Sequence, residues 1–519
     1  MTESTADRQG LQAEQGREPR PPSLFDALAP IIVLIGLLVL TIVLFGVDAA
    51  EGPLQVALLL AAAFASLVAL KNGHSISTIR EAAVGGVSSA MGAIFILLAV
   101  GALIGAWNLS GTIPTVVSYG IALLSASWFY LAAAVICAVV GMITGSSWTT
   151  AGTLGVAFVG IANVIGVSPE IAAGAVISGA YFGDKMTPLS ETTILVPQLV
   201  GGLTVIQHVR AMVWTALPAL GLSLVVFAVL GLTGDVTEAV DKQTARDAIE
   251  SVFNVSIWNL LPLFLMIVLT FRRVPPFLAL MACALVAGVM APFTQPAAVE
   301  AFAGGTGQGS IATAIEAIYG TMANGFVSSS GIEPIDALFS RGGMASMLTT
   351  IWLILGALSF AAVVEHAGFL DRLLAPIVTW ARSTGMLITS VVGAGIGLNV
   401  IAGDQYVADV LPARMFRGEF ARRKLAPQVL STSVENAGTV TSVLVPWNSC
   451  GAYISGVLGV STIAYLPYCF FNILCPILAV VFGFVGFKID RLSPGAVETG
   501  PPDTDQAIAT IGPEVPTKP

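Results

Sequence analysis

Charged side chains are scarce in this sequence. Asp, Glu, Lys and Arg together make up 10% of its 519 residues, whereas 55% are hydrophobic, and the mean hydropathy is +0.88. Soluble domains contain roughly 25% charged residues. The composition therefore excludes an ordinary soluble protein and predicts an all-α polytopic membrane protein, in which each span needs about 20 apolar residues.

Residues that hold metals or form disulfides are also few. The five cysteines lie in apolar segments without metal-ligand spacing, and the three histidines show no pattern of a transition-metal site. No nucleophile is paired with a base, so we do not expect an enzyme. We also expect no disulfide framework, no transition-metal site and no cofactor. Four further polar residues are predicted to be loop or cap groups: His74, His208, His366 and Asp409.

The two ends of the chain differ from its apolar middle. Residues 1–24 and 492–519 are polar and rich in proline and acidic residues, which predicts two disordered tails. Between them we expect about ten full spans, the last at 461–487, and a short amphipathic helix at 311–325. If both termini are cytoplasmic, every cluster of basic residues also lies in the cytoplasm, as the positive-inside rule requires.

Interrupted apolar segments occur in the same order in two parts of the chain, which predicts an inverted-repeat secondary transporter. Each part contains a predicted re-entrant hairpin with a polar tip, followed by a broken helix, because irregular backbone at membrane depth must be covered by protein. The predicted boundaries are 25–232 for the first repeat (hairpin 128–166, broken helix 170–201), 233–253 for an acidic linker, and 254–491 for the second repeat (hairpin 385–411, broken helix 427–457). Thr192–Pro197 and Thr441–Pro446 also have similar sequences, TTILVP and TSVLVP.

Residues 183–193 read GDKMTPLSETT and interrupt an otherwise apolar stretch. A charge at membrane depth is costly and usually marks an ion or substrate pathway. Pro188 has no N–H donor and disfavours helix at the preceding residue. The stretch therefore predicts a broken helix whose Asp184 faces a protein-lined site, with Lys185 as its charge partner.

Acidic and neutral oxygen-bearing residues gather at the predicted interruptions. Na⁺ and other hard cations prefer carboxylate, hydroxyl and amide oxygens. A desolvated carboxylate binds protons more tightly, so a proton can compete there with a metal cation. The predicted cation- or proton-binding acids are Asp184, Glu191, Asp404 and Glu435. The predicted supporting ligands are Ser146, Ser147, Thr149, Thr187, Ser190, Thr192, Thr193, Asn399, Asn436, Thr439, Thr441 and Asn448.

Each acidic residue also has a purely structural interpretation. Asp184 and Lys185 could neutralise each other as an internal pair, and Glu191 could be a first-turn acid of the resumed helix. Asp404 could be a helix N-cap, and Glu435 could stabilise a helix end. The sequence leaves these alternatives open.

Four motifs resemble the signatures of the NhaC family of sodium/proton antiporters: residues 177–193, the stretch TGSSWTTAGT at 144–153, AGDQY at 402–406, and ENAGTVTSVLVPWNSCGAY at 435–453. The resemblance implies the ion-transporter superfamily architecture, with a dimeric elevator, and the exchange of Na⁺ for H⁺ across the cell membrane. It also implies relatives that exchange organic acids such as malate and sodium-lactate. Where that family commonly has Asp-Thr-Thr-Asn, this chain has Glu191 followed by Thr-Thr-Ile.

The leading hypothesis is therefore an antiporter that moves monovalent cations and protons as a homodimer in lipid, with no nucleic-acid partner. The alternative is a cation-coupled carrier of an organic acid or amino acid. Four acids against one lysine favour a cation, since an anion carrier would need more cationic groups or N–H donors. A channel is disfavoured because no repeated pore-loop filter is present.

Overall fold

The computed structural model describes residues 19–234, 242–304 and 311–492, and this part of the chain is helical. Its strand pairing is one isolated antiparallel bridge between Leu425 and Arg491. The predicted all-α class is confirmed. Most of both predicted tails, and residues 235–241 of the predicted acidic linker, lie outside the described residues.

The helices of the first half of the chain are α1 (Leu24–Phe45), α2 (Pro53–Lys71), α3 (Ile76–Ser89), α4 (Met91–Leu109), α5 (Thr112–Leu123), α6 (Phe129–Thr144), α7 (Ser147–Thr150), α8 (Val156–Val164), α9 (Pro169–Lys185), α10 (Glu191–Val200) and α11 (Val205–Thr233). Those of the second half are α12 (Lys242–Val252), α13 (Leu261–Phe271), α14 (Pro276–Thr294), α15 (Pro296–Phe302), α16 (Ile311–Asn324), α17 (Glu333–Phe339), α18 (Leu348–His366), α19 (Phe369–Trp380), α20 (Thr384–Ile401), α21 (Gln405–Arg422), α22 (Pro427–Glu435), α23 (Gly438–Thr441), α24 (Ser449–Leu458), α25 (Thr462–Tyr465) and α26 (Phe470–Val485). A π-helical turn, Ala151–Gly155, joins α7 to α8.

Eight helical runs among the described residues are long and apolar enough to cross a membrane. Two bent helix pairs bring the number to ten if each pair is one span: Arg246–Val252 with Ile257–Phe271, bent by 88°, and Ser449–Leu458 with Thr462–Tyr468, bent by 92°. The protein is therefore a multi-pass membrane protein.

The structure divides the apolar run predicted as one span at 461–487. A four-residue helix and a 3₁₀ turn, Leu466–Tyr468, precede α26, which begins only at Phe470. Pro467 explains the division, because its ring removes a backbone donor and restricts the residue before it. By contrast, the amphipathic helix predicted at 311–325 is present as α16.

The helices pack in two groups. In the first, α18 packs against α2 and α3, α1 packs against α2, and α4 packs against α14 and α16. In the second, α6 lies along α9, while α26 contacts α20 and α11. Gly179 and Gly183 allow the close approach of α6 and α9, because an added methyl group at either position would collide with the α6 backbone. The predicted hairpins and broken helices lie in this second group.

Candidate functional site

Two sharp turns in the second helix group are built alike, and we call them the first tip (145–148) and the second tip (403–406). Each begins with a glycine in the left-handed region, Gly145 at φ +67° and Gly403 at φ +62°, where a side chain would be strained. The next residue of each tip, a serine or Asp404, caps the following helix by accepting backbone N–H bonds. Local sequence therefore fixes both tips.

Two helix interruptions are also alike, and we call them the first break (186–190) and the second break (445–448). Each contains a proline, Pro188 or Pro446, and ends at an extended residue that precedes a new helix. That last residue, a serine or an asparagine, has φ −70° and ψ 139° in the first break and φ −70° and ψ 145° in the second. The breaks predicted in the two halves are thus present.

Each tip lies against the break of its own half. A methyl group added to Gly145 would come within 2.7 Å of Cβ of Leu189, the residue after the proline of the first break. A methyl group added to Gly403 would come within 3.3 Å of the carbonyl oxygen of Trp447, the residue after the other proline. The contact of tip and break is therefore the common feature of the two halves.

The tips and breaks align the two halves differently from the similar sequences Thr192–Pro197 and Thr441–Pro446. The first of these stretches lies inside α10, whereas the second leads from α23 into the second break. The tip glycines and the break prolines are separated along the chain by the same number of residues, and this spacing pairs Asp184 with Ser442. Glu435 is therefore not the positional counterpart of Asp184.

Asp184 lies where the first tip meets the first break. Its Oδ2 accepts hydrogen bonds from the backbone N–H of Ser147 at 3.1 Å and from the hydroxyl of the same residue at 2.7 Å. The side chain of Ser190 also interacts with this carboxyl group. Asp184 keeps partial exposure, whereas Ser147 and Ser190 are buried. Ser147 of the first tip and Ser190 of the first break are therefore the serines that lie next to the Asp184 carboxyl group.

A second carboxylate, Glu435, ends α22 and is fully buried. Its Oε1 accepts a hydrogen bond from the Thr192 hydroxyl at 3.1 Å, and its Oε2 lies 3.5 Å from Nε2 of His208. His208 is itself fully buried, and its Nδ1 lies 2.9 Å from Oγ of Ser431. Glu435 thus joins helices from both halves of the chain.

Lys185 is not the partner of Asp184 that the sequence suggested. Consecutive helix positions point about 100° apart, so the two side chains diverge. The Lys185 ammonium group donates to Oδ1 of Asn436 at 2.5 Å, and the Thr215 hydroxyl donates to the same oxygen at 3.2 Å. Lys185 is 1% exposed and interacts electrostatically with Glu435 and Asp409. It therefore belongs to the buried cluster around Glu435.

Asp409, predicted to be a loop or cap group, lies instead within α21 and is fully buried. The Thr439 hydroxyl donates to Oδ2 of Asp409 at 2.7 Å. Gly438 leaves space for Oδ1 of Asp409, because the Cβ atom of any larger residue at 438 would collide with that oxygen. Among the residues that the structure describes, Thr439 therefore hydrogen-bonds to a carboxylate of the cluster and has no bond to a carboxylate at the tips.

The remaining two predicted acids lie outside the buried cluster. Glu191 is exposed and accepts a 2.5 Å hydrogen bond from the hydroxyl of Tyr406 in the second tip. Asp404 caps α21, and the Ser449 hydroxyl donates to its other oxygen at 3.4 Å. The N-cap interpretation of Asp404 is therefore the one that the geometry matches.

The predicted neutral ligands mostly satisfy one another or the backbone. Asn399 donates to the Gly438 carbonyl at 2.7 Å and to the Thr441 hydroxyl at 3.1 Å, and Asn448 donates to Asn399 Oδ1 at 3.0 Å. These buried groups join α20 to α23 and to the second break. Three further predicted ligands take part in hydrogen bonds within their own half: Thr149, Thr187 and Thr193.

Two residues that sequence reasoning missed, His208 and Asp409, are central to the cluster. His208 follows a break in the basic, polar start of α11, and nothing in the sequence pairs it with Glu435. The sequence contains one indication of a role for Asp409, since it is an acid within about one and a half helical turns of the second tip. Buried ionised groups are costly unless paired, so a site with three carboxylates, one ammonium and one imidazole gains stability by binding a proton or a cation.

Comparison with known proteins identifies the family. A model described as the Na⁺/H⁺ antiporter family matches residues 22–201 and 179–487, which is most of the chain. The chain belongs to the Na⁺/H⁺ antiporter family. The expected resemblance to NhaC proteins is confirmed by the Na⁺/H⁺ antiporter NhaC of Alkalihalophilus pseudofirmus, 36% identical over 439 residues, covering 85% of this chain and 91% of the relative.

Relatives of this antiporter include proteins named for organic substrates. The malate-2H⁺/Na⁺-lactate antiporter of Bacillus subtilis is 33% identical over 472 residues, covering 91% of this chain and 96% of the relative. The arginine/ornithine antiporter ArcD of Halobacterium salinarum is 34% identical over 485 residues, with 91% and 94% coverage. Membership in this family identifies the chain as a transporter and not as an enzyme.

Proposed function

We propose that the protein exchanges Na⁺, or a related monovalent cation, for protons across the cell membrane, and that Asp184 is the carboxylate that both ions share. The observation that carries this proposal is the position of Asp184. It is a partly exposed acid held by Ser147 at the contact of the first tip with the first break. A carboxylate in that position is open to ions and is surrounded by oxygen ligands suited to Na⁺.

Exchange follows from the cost of moving an empty site. An ionised Asp184 without a cation carries uncompensated charge into the low-dielectric interior, which is strongly unfavourable. A bound proton or a bound Na⁺ neutralises it, so only loaded forms cross at an appreciable rate. Because one carboxylate accepts either ion, the two fluxes are coupled in opposite directions.

The similar tips and breaks support an inverted-repeat mechanism of alternating access. We propose that residues 25–232 and 254–491 are the repeats, that the tips are re-entrant, and that the second helix group moves against the first as an elevator. We further propose a homodimer in the cell membrane with both termini in the cytoplasm, the orientation favoured by the basic residues.

The alternative is a cation-coupled carrier of organic acids or amino acids, favoured by the relatives named for malate, lactate, arginine and ornithine. The described cluster favours a cation. Its acids, Asp184, Glu435 and Asp409, outnumber its one ammonium group, that of Lys185, which is already bonded to an amide oxygen. An anion would meet net repulsion there.

The test is proton flux in proteoliposomes that contain the purified protein and a pH-sensitive dye. Gradients of Na⁺, Li⁺ and K⁺ are applied in turn, and then malate, lactate, arginine and ornithine with and without Na⁺. The proposal predicts proton movement driven by an inorganic cation alone. Proton movement that requires an organic substrate would reject it in favour of the alternative.

A further inference from the structure

Two buried polar atoms face each other in the cluster around Glu435. Glu435 Oε2 and His208 Nε2 are 3.5 Å apart, and both side chains are fully buried. Within the described part of the chain, neither atom has a hydrogen-bond partner. A buried hydrogen-bonding atom without a partner is destabilising, and more so when it is charged. The pair therefore has room for one shared proton that would satisfy both atoms.

The bonds of His208 indicate which ring nitrogen is free. Ser431 Oγ lies 2.9 Å from Nδ1 and also donates to the carbonyl oxygen of Gln428 at 3.2 Å. A hydroxyl has one proton to donate, and a carbonyl can only accept. If that proton serves Gln428, Nδ1–H must donate to Ser431, and Nε2 carries the lone pair that faces Glu435.

The other charged groups near this pair come from the packed helices. Lys185 on α9 and Asp409 on α21 both interact electrostatically with Glu435. The Lys185 ammonium is bonded to Asn436 and not to Glu435. Among the described residues, Glu435 and His208 therefore each have the other as their only direct ion-pair partner.

Two hydroxyl groups connect this pair to Asp184. The Thr192 hydroxyl donates to Glu435 Oε1 at 3.1 Å, and Ser190 Oγ lies 3.2 Å from Thr192 Oγ1. Ser190 occupies the N-cap position of α10, yet its side chain makes no capping bond. Its hydroxyl is therefore available to Thr192 on one side and to Asp184 on the other.

We propose that Glu435 and His208 form a buried proton-binding site, and that Ser190 and Thr192 relay the proton between this site and Asp184. As Na⁺ reaches Asp184, the carboxyl proton passes to Ser190, the Ser190 proton to Thr192, and the Thr192 proton to Glu435. Each hydroxyl gains one proton and loses one, and only O–H bonds break and form. Asp184 is left ionised for the cation, and rotation of the protonated Glu435 carboxyl group turns the O–H, formed at Oε1, toward Nε2 of His208.

The relay places the released proton away from the cation, on the carboxylate that ends α22. Beyond His208, Ser431 Oγ donates to the backbone carbonyl oxygen of Gln428, and a carbonyl oxygen can only accept a hydrogen bond. This inference rests on the proposed exchange at Asp184 and adds the residues that deliver its proton.

The test compares Thr192→Val, which removes the hydroxyl at nearly constant volume, with Thr192→Ser, which keeps it. Two fluxes are measured in proteoliposomes: Na⁺/H⁺ exchange, and exchange of radioactive Na⁺ for Na⁺, which needs no net proton transfer. Loss of a positioned proton-transfer group predicts a fall in Na⁺/H⁺ exchange on the order of a hundredfold for Thr192→Val. Na⁺/Na⁺ exchange should fall far less, and Thr192→Ser should restore Na⁺/H⁺ exchange.

Thr321→Val is the matched control, since Thr321 is fully buried in α16 and its hydroxyl donates only within its own helix. His208→Gln should also change the pH profile of exchange. An equal loss of both fluxes in Thr192→Val, or Na⁺/H⁺ exchange equal to that of Thr192→Ser, would overturn the relay alone. A wild-type protein without cation-driven proton flux would reject the proposed function itself, and the relay with it.

Discussion

The first and second tips share a backbone but face different chemistry. Both start with a left-handed glycine, continue with a helix cap and lie against the break of their own half. The first tip donates two hydrogen bonds to a carboxylate, Asp184. At the matching position the second tip meets Ser442, whose hydroxyl lies 3.4 Å from the side-chain oxygen of Gln405. At this matched position, the repeated geometry therefore carries a titratable group only in the first half.

The aromatic residues of the two tips differ in how deeply their contacts are buried. Trp148 of the first tip stacks on Tyr453 at 4.1 Å, and the buried Tyr453 hydroxyl donates to the Trp148 carbonyl oxygen. Tyr406 of the second tip is 39% exposed and holds the exposed Glu191 by one hydrogen bond. Each aromatic residue reaches a helix of the opposite half, but the first contact is buried and the second is open to solvent. The comparison predicts that the second tip is released more easily than the first.

The largest expected effect separates Asp184 from its positional counterpart. Asp184→Asn should abolish Na⁺/H⁺ exchange, because the amide can neither ionise nor bind Na⁺ with a full charge, while the protein still folds and inserts. Ser442→Ala should retain exchange, since it removes only a long hydrogen bond. Proton flux in proteoliposomes measures both. Near-wild-type exchange by a well-expressed Asp184→Asn protein would remove the distinction between the tips.

A smaller effect is expected at the tip glycines. Gly145→Ala and Gly403→Ala each place a side chain in the left-handed region, at a cost of about 1–2 kcal/mol. Gly145→Ala adds a closer collision, 2.7 Å from Leu189 Cβ, whereas the nearest atom at Gly403 is 3.2 Å away. Gly145→Ala should therefore lower the midpoint of thermal unfolding and the exchange rate more. The opposite ranking would show that the second tip is the more tightly packed.

The smallest effect concerns the two tyrosine hydroxyls, which Phe substitutions remove without changing the rings. Tyr453→Phe removes one of the two hydrogen bonds to the buried Trp148 carbonyl oxygen, so it should cost about 0.5–1.5 kcal/mol of unfolding free energy. Tyr406→Phe breaks a solvent-exposed bond, so stability should change little, whereas the apparent affinity for the cation should change. Thermal unfolding and the apparent KM for Na⁺ test the two cases. Equal destabilisation by both substitutions would contradict a releasable second tip.

Local features of the fold were predictable from the sequence, because Gly, Pro and helix caps act on their immediate neighbours. Gly145, Gly403, Pro188 and Pro446 mark the tips and breaks where the structure has them. Asp184 was identified for the same reason, since it is a charge beside a break. The division of the predicted final span at Pro467 was the main local error.

Contacts between distant parts of the chain were not predictable. His208 and Glu435 lie in different halves, and only the packing of α11 against α22 brings them together. The direction of Lys185 depends on the rotation of α9, which places its ammonium beside Asn436 and away from Asp184. The register of the two halves was misjudged because six similar residues occupy different elements in each.

The most direct test of the shared carboxylate is the apparent KM for Na⁺ measured at several pH values in proteoliposomes. If proton and Na⁺ compete for Asp184, each unit decrease in pH should raise this KM by up to about tenfold in the proton-dominated range, by mass action. The maximal rate at saturating Na⁺ should change much less over that range. A KM that stays constant with pH while only the maximal rate changes would mean separate ion sites and would contradict the account.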